Sequence, residues 1–218
     1  MKNSNFIFLL FIIYSFIGWC LEVILVLLTK KKFINRGFLI GPYCPIYGIG
    51  SLLVIYLLNN YLYEPITLFI LSIVICSVIE YSVSLILEKL FKTSWWDYTN
   101  KKFNINGRIC LETMIPFGIG CMCIMYIVNP FITNIIGSIP TNILDIIAIV
   151  IFIIFLTDII ISLKIIINFR DISNNAKVDS TEKVTKYVKK ILLEKRNALY
   201  TRFINAFPNM KIIKIKRK

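Results

Sequence analysis

Long apolar runs separated by short polar segments dominate the pattern along this chain. A helix that crosses the hydrocarbon core of a bilayer needs about 20 predominantly apolar residues, and five runs approach that length. They span residues 6–28, about 44–62, 65–88, 109–129 and 143–167. The pattern therefore predicts an all-α fold, a polytopic membrane bundle of five transmembrane helices.

The second run is the least regular, because it begins inside "FINRGFLIGPYCPIYGIG", residues 33–50. Gly37, Gly41, Pro42 and Pro45 oppose a regular helix over the first part of this stretch. Irregular backbone at membrane depth is tolerated only where protein or a wet cavity covers it. We therefore predict a re-entrant or broken entry into the second span, packed beside "WWDY" and "NGR" of a later loop.

Basic residues alternate between the loops. The first and third loops are rich in lysine and arginine, the second and fourth loops have neither, and the C-terminal tail is strongly basic. Since short cytoplasmic loops carry the excess of positive charge, the N-terminus is predicted to lie outside. The first loop, the third loop and the tail are predicted to lie in the cytoplasm.

Composition changes this picture in the tail. Hydrophobic residues make up 57% of the chain and charged residues 17%, which excludes an ordinary soluble domain. The net charge is +13, and residues 168–218 supply +10 of it, with 14 Lys and Arg against 4 Asp and Glu. We predict a transmembrane domain at 1–167 and a basic cytoplasmic tail at 168–218, with no nucleic-acid partner.

The tail shows a second helical pattern, which ends before Pro208. Its apolar positions are Val184, Tyr187, Val188, Ile191, Leu192, Leu199 and Phe203, and its basic positions are Lys183, Lys186, Lys189, Lys190, Lys195 and Arg196. This basic amphipathic helix has two possible arrangements. It lies on the bilayer in contact with anionic lipid, or it packs on the domain with its basic face in solvent.

The chain has six cysteines and no histidine. Five of the cysteines lie in or at the ends of apolar runs, where a thiol packs as a small hydrophobic group. Their spacing lacks the paired pattern of a zinc site, and without histidine, imidazole metal sites and histidine acid–base catalysis are excluded. The chain is predicted to have no metal, no cofactor and no enzymatic activity.

Several acidic side chains fall within the apolar runs. An acidic residue at the centre of a transmembrane helix costs about 2.5–3.5 kcal/mol, so such groups normally face a bundle interior, a cavity or a partner. We predict a substrate-binding polar cluster at the cytoplasmic face, formed by Glu22, Arg36, Glu80, Glu88, Asp97 and Arg108. The plain alternative is a set of interhelical hydrogen bonds.

The supporting residues of this cluster come from the first and third loops and the helices that follow them. Asp97 is expected to pair with Arg36 or Arg108, or to cap a short helix. The rings of Trp95, Trp96 and Tyr98 are expected at the level of the lipid headgroups. The full supporting set is Asn35, Gly37, Gly41, Pro42, Pro45, Tyr47, Gly48, Trp95, Trp96, Tyr98, Asn106, Gly107 and Glu112.

Four stretches carry a family resemblance: "YSFIGWCLE" (14–22), "FINRGFLIGPYCPIYGIG" (33–50), "LEKLF…WWDY…FNINGRICLE" (87–112) and "AFPNMK" (206–211). Together they resemble the bacterial membrane family called putative ABC-transporter type IV. The resemblance implies a multi-pass protein of the bacterial cell membrane that works with a separate cytoplasmic ATPase. This chain has no G-x-x-x-x-G-K-[ST] loop to hold ATP phosphates.

The leading interpretation is a permease-like subunit of an ABC-type transporter that lacks its own ATPase. The alternative is a non-transporting membrane scaffold or sensor, which recruits a cytoplasmic partner through the basic tail. A membrane enzyme acting on lipid-linked substrates is a third possibility, and carboxylates alone would have to carry its chemistry.

Overall fold

The structure, a computed structural model, describes residues 4–175, 181–194 and 197–212 of the chain. Most of these residues are helical, in agreement with the predicted all-α bundle. The strands form two antiparallel pairs, β1 (Thr93–Ser94) with β4 (Lys211–Ile212) and β2 (Asn104–Ile105) with β3 (Ile109–Cys110). The helices are α1 (Ser4–Lys30), α2 (Pro45–Leu58), α3 (Pro65–Phe91), α4 (Leu111–Cys123), α5 (Asn129–Gly137), α6 (Thr141–Asn175), α7 (Thr181–Glu194) and α8 (Ala198–Ala206).

Four helical segments of the described chain are long and apolar enough to cross a membrane. Two of them are α1 and α3, with 27 residues each, and a third is Thr141–Asn168 within α6. The fourth joins α4 and α5 through one π-helical turn, Ile124–Val128, into the continuous segment Leu111–Gly137. These segments agree with a multi-pass membrane protein.

The fourth segment runs past Pro130, where the sequence predicts a loop. Pro130 has no N–H to donate to the preceding turn, and the π-helical turn directly before it absorbs the mismatch. Pro130 then lies in the first turn of α5, a position that tolerates proline. The helix therefore continues to Gly137, and the connection to α6 is shorter than predicted.

The helix at the predicted second span is short. α2 has 14 residues and is followed by a 3₁₀ turn, Asn59–Tyr61. At 1.5 Å per residue α2 is about 21 Å long, which is less than the roughly 30 Å of the hydrocarbon core. The count of five spans and the orientation therefore stay predictions.

The tail packs on one end of the bundle, which we call the basic end: the end that carries the 31–44 and 92–110 loops and the described part of the tail. A hydrophobic core there joins Trp95 to Val188, Leu192 and Phe203 of α7 and α8. The last three are fully buried. The amphipathic helix is thus packed on the domain, although its predicted basic positions Lys195 and Arg196 lie outside the described residues.

Candidate functional site

The entry segment, residues 33–44, runs back along α1 before α2 begins. The N–H of Cys44 donates to the carbonyl of Ser15 at 2.9 Å, and Ser15 lies about four turns before Lys30, or about 22 Å along the helix. Gly37, with a φ of 112°, makes a bend that a side chain would oppose. Pro45 occupies the first turn of α2. The predicted broken entry is confirmed, because α2 starts part-way along the bundle.

Asp158 of α6 holds the middle of the entry segment. Its carboxylate accepts the N–H of Ile40 at 2.9 Å and the N–H of Gly41 at 2.6 Å. The hydroxyl of Ser162, one turn on, donates to the same group at 2.9 Å. A buried backbone N–H without an acceptor costs about 1–3 kcal/mol. The carboxylate therefore allows this non-helical backbone to lie inside the bundle.

Two further side chains satisfy carbonyls of the entry segment. Arg202 of α8 donates from Nη2 to the carbonyls of Gly37 and Leu39. Asn35 donates from Nδ2 to the carbonyl of Ile40 at 2.9 Å, and its Oδ1 accepts the indole N–H of Trp19 at 2.7 Å. The supporting residue Asn35 therefore fixes the backbone of the entry segment.

Glu22 of α1 lies between α2 and the entry segment. Its Oε1 accepts the hydroxyl of Tyr47 at 2.7 Å, and its Oε2 lies 3.4 Å from Nε of Arg36. Arg36 also donates from Nη1 to the carbonyl of Ala206 at 2.6 Å, a group that the end of α8 would otherwise leave open. Arg36 thus connects α1, the entry segment and the tail.

Glu80 of α3 faces the same region and is only 6% exposed. Its Oε1 accepts the hydroxyl of Tyr98 at 3.3 Å. Its Oε2 is buried and has no hydrogen-bond partner in the part of the chain that the structure describes. The hydroxyl of Thr113 lies beside the carboxylate but donates to the carbonyl of Cys110 at 2.9 Å. The second oxygen is therefore left without a donor.

The two acids and the two tyrosines form one electrostatically linked group, the acidic network: Glu22, Tyr47, Glu80 and Tyr98. Burial, with the nearby carboxylate of Glu80, raises the pKa of Tyr98 above its ordinary value. Tyr98 therefore remains a protonated donor at neutral pH. The predicted cluster members Glu22 and Glu80 thus share one site, reached from both loops of the basic end.

Arg108 and Glu88 form a separate pair. Nη1 of Arg108 lies 2.6 Å from Oε2 of Glu88 and 3.2 Å from the hydroxyl of Ser84, and the guanidinium lies over the ring of Tyr81 at 5.7 Å. The hydrogen bond to Glu88 raises the pKa of Arg108, so the charge is retained. Arg108, like Arg36, binds the acid on the helix that precedes its own loop.

A tight turn positions Tyr98 in the third loop. Asn106 and Gly107 join β2 to β3 with positive φ angles of 53° and 66°. A Cβ at Gly107 would lie 2.7 Å from the methyl group of Thr99 and 2.9 Å from Oδ1 of Asp97. The carbonyl of Gly107 accepts the N–H of Tyr98 at 2.8 Å. This close approach explains why glycine is needed next to Arg108.

Other supporting residues of this loop lie outside the acidic network. Asn106 donates to the hydroxyl of Tyr81 at 2.9 Å, and Trp96 donates from its indole N–H to the carbonyl of Arg108 at 2.9 Å. Glu112 is exposed and lies 2.8 Å from Nζ of Lys101. These contacts shape the loop and do not reach Glu80.

Trp95 is covered by protein and does not present its ring to lipid headgroups, as an interfacial aromatic residue would. Its ring is 4% exposed and packs edge-to-face against Phe38 of the entry segment at 5.7 Å and against Phe203 and Phe207 of the tail at 5.3 Å and 5.0 Å. The tail covers the ring with protein, which the aromatic composition of the loop alone did not indicate. The contact with Phe38 confirms the predicted packing of the entry segment beside "WWDY".

Asp97 pairs with neither arginine, contrary to prediction. Nζ of Lys211 donates to its Oδ2, and the N–H of Thr99 donates to Oδ1 at 3.0 Å. The hydrogen bond from Lys211 lowers the pKa of Asp97 below its ordinary value. Asp97 therefore fastens the tail strand β4 beside β1 and lies outside the acidic network.

We expect Asp97→Asn to weaken the attachment of β4 by about 0.2–1 kcal/mol, the usual range for an exposed ion pair. Hydrogen exchange at Ile212, whose N–H donates to Thr185, measures this opening. Because the folded-state pKa of Asp97 lies below its unfolded value of about 3.9, the stabilisation is present above about pH 4. It is lost as the pH falls through the folded-state pKa.

Wild-type protection at Ile212 should therefore fall in acid, and that of Asp97→Asn should change less. Glu112→Gln removes an exposed pair away from the tail and serves as the control. Equal protection at neutral pH in wild type and Asp97→Asn would contradict the assignment.

Sequence reasoning missed Asp158, Arg202 and Lys211. The sequence does contain a signal for Asp158, because a carboxylate within a long apolar run, with Ser162 one turn later, requires hydrogen-bond donors from another element. Arg202 had none, because it is one of the many basic residues of the tail, and Lys211 had only its place in the motif "AFPNMK", which does not indicate a partner. Only the folded chain separates them from their solvated neighbours.

Comparisons with known proteins support the resemblance in the loop motifs. A family model described as Putative ABC-transporter type IV matches residues 9–163, which include the acidic network, the entry segment and Asp158. The described tail residues that contact this region lie beyond the match. Searches of the curated proteins and of the solved structures give no significant match. The chain belongs to the Putative ABC-transporter type IV family.

Proposed function

We propose that this chain is a permease-like subunit of an ABC-type transporter, coupled to a separate ATPase, and that the acidic network is the polar part of its substrate site. The observation that carries the proposal is the buried carboxylate of Glu80, whose Oε2 has no donor within the described residues. The family supports transport as the general role. The substrate site itself is inferred from the geometry.

The charges around the acidic network favour a cationic group on the substrate. An ionised carboxylate buried without a compensating partner is costly, so it takes up a proton or a cation. Arg36 already binds Glu22, and Arg108 already binds Glu88. Of these three acids, Glu80 is thus the one whose carboxylate has no cationic partner among the described residues.

The entry segment and α2 together supply the fifth crossing in this proposal. The extended chain covers the half of the bundle nearest the basic end, and α2 continues from the level of Ser15 towards the opposite end. An odd number of crossings, combined with the positive-inside rule, puts the N-terminus outside. The acidic network then lies in the half of the bundle nearest the cytoplasm of a bacterial cell, where the ATPase would bind.

The test begins with gentle detergent purification of the full-length protein and identification of proteins present in stoichiometric amount. We expect an ATPase. The complex is then reconstituted in vesicles, and its ATPase rate is measured with cationic, neutral and anionic solutes. Cationic solutes should stimulate the wild-type complex, and Glu80→Gln should reduce that stimulation at least about tenfold, because the amide retains the shape of the side chain without its charge.

Glu64→Gln is the matched control, since Glu64 is exposed near the start of α3, at the end opposite to the basic end. Unchanged stimulation in Glu80→Gln would contradict the substrate site. Arg36→Ala is a poorer test, because it would also release the carbonyl of Ala206 and weaken the tail contact. Reproducible absence of an ATPase would contradict the permease role.

The second candidate is a scaffold or sensor that recruits a cytoplasmic partner through the tail. The observation that favours it is the arrangement of α7, whose Val188 and Leu192 are covered by protein while Lys186 and Lys190 are exposed. Deleting the tail would uncover Trp95, so deletion cannot separate recruitment from folding. Under this role, a non-ATPase partner should co-purify and be lost from a Lys186→Glu/Lys190→Glu variant.

A further inference from the structure

We propose that a cavity at the basic end binds a phosphate-bearing anionic group. The cavity has a volume of about 230 Å³ and is lined by Lys32, Phe33, Ile34, Asn35, Arg202 and Asn205. It lies where the start of the entry segment meets α8. It is separate from the acidic network, so this proposal and the proposed function can fail independently.

The lining of the cavity is cationic and rich in hydrogen-bond donors. Lys32 and Asn205 are exposed residues of its rim, and they offer an ammonium and an amide group. Arg202 uses Nη2 for the carbonyls of the entry segment. Its Nε and Nη1 are buried and have no hydrogen-bond partner among the residues that the structure describes. These donors are unpaired within the described chain, and a guanidinium is a group well suited to phosphate oxygens.

The nearby acids do not fully neutralise the charge of Arg202. Asp158 attracts Arg202 electrostatically, but its oxygens accept the N–H groups of Ile40 and Gly41. Glu22 is held by Arg36. Burial lowers the pKa of Arg202, as expected for a cation that has lost water without gaining a full counter-charge. An anion in the cavity would supply that charge.

The size and position of the cavity restrict its ligand. Pockets for drug-sized molecules usually have volumes of about 300–1,000 Å³, so this cavity suits a headgroup or a small phosphate ester. Phe33 at its rim is 63% exposed, and Leu28 at the nearby end of α1 is 72% exposed. These apolar side chains offer a surface for acyl chains. Basic pockets at this level of membrane proteins bind phospholipid headgroups.

The experiment measures binding to the purified full-length protein in neutral detergent. The probes are a short-chain anionic phospholipid, a short-chain zwitterionic phospholipid of equal length, and inorganic phosphate. The cavity variant is Lys32→Gln/Asn205→Asp, which changes two exposed residues and keeps Arg202 with its structural contacts. The control variant is Lys102→Gln/Asn209→Asp, which makes the same charge change at exposed positions outside the cavity.

We expect the anionic lipid to bind the wild-type protein more tightly than the zwitterionic lipid. The dissociation constant should rise at least about tenfold in the cavity variant and less than about twofold in the control. If inorganic phosphate binds with the same dependence, the site is supported and its ligand is a soluble phosphate compound. Loss of affinity in the control equal to that in the cavity variant would overturn the proposal, as would binding of neither anion.

Discussion

Replacing Asp158 with alanine should lower the free energy of unfolding by about 2–6 kcal/mol. The substitution removes the acceptor for the N–H groups of Ile40 and Gly41, and each buried N–H left open costs about 1–3 kcal/mol. The entry segment has no helical hydrogen bonds to replace them. We expect its path along α1 to be lost before the helices themselves separate.

Unfolding in mixed detergent micelles measures this change, and proteolysis within residues 33–44 reports on the local opening. Asp158→Asn retains one carbonyl oxygen and should lose about half as much. Asp145→Ala is the control, because it removes an acid from the far end of the same helix, where Asp145 accepts a hydrogen bond from Asn5. A loss in Asp158→Ala no greater than in Asp145→Ala would refute the anchoring role.

Gly48→Ala should force α1 and α2 apart and cost about 1–3 kcal/mol, the usual price of overpacking a tight interface. A Cβ at this position would lie 2.6 Å from the carbonyl oxygen of Phe11 and 2.2 Å from the hydroxyl oxygen of Ser15. The carbonyl belongs to the backbone of α1 and cannot rotate away. Close contacts of this kind are the reason why small residues occur between membrane helices.

Gly50→Ala is a matched control in the same helix, since the nearest atom to its Cβ would be Cδ1 of Ile79 at 3.9 Å. That substitution should be neutral or slightly stabilising, because alanine favours the helix over glycine. Thermal unfolding of the two variants in detergent gives the comparison. If Gly48→Ala is as stable as Gly50→Ala, the two helices are not in the close contact described above.

The sequence predicted the parts of the fold that depend on apolar length and on local backbone chemistry. The runs that became α1, α3 and α6 are long and apolar enough to need no tertiary information. The glycines and prolines around Gly37 and Pro45 predicted the broken entry, because their effects on φ and hydrogen bonding are local. The helix past Pro130 was missed, since a π-helical turn leaves no strong signal in composition.

The candidate site was predictable only where an acid stood out against an apolar run. Glu22 and Glu80 did so, and the structure brings them together. The ion pairs of the loop could not be assigned in the same way, because Asp97 lies only 11 residues before Arg108 and yet binds Lys211, which is 114 residues away. Pairings between residues more than 100 positions apart depend on how the tail returns to the bundle, and local patterns contain no such information.

The return of the tail also sets an order for assembly during synthesis. Arg36 emerges from the ribosome about 170 residues before Ala206, whose carbonyl it binds. Trp95 is likewise made before Phe203 and Phe207, the tail residues that pack against its ring. Until α8 is made, the entry segment lacks Arg202 and the basic end exposes its aromatic core. Insertion of the helices and completion of this end are therefore separate events, and the nascent chain passes through a stage at which a chaperone or the bilayer surface must cover that core.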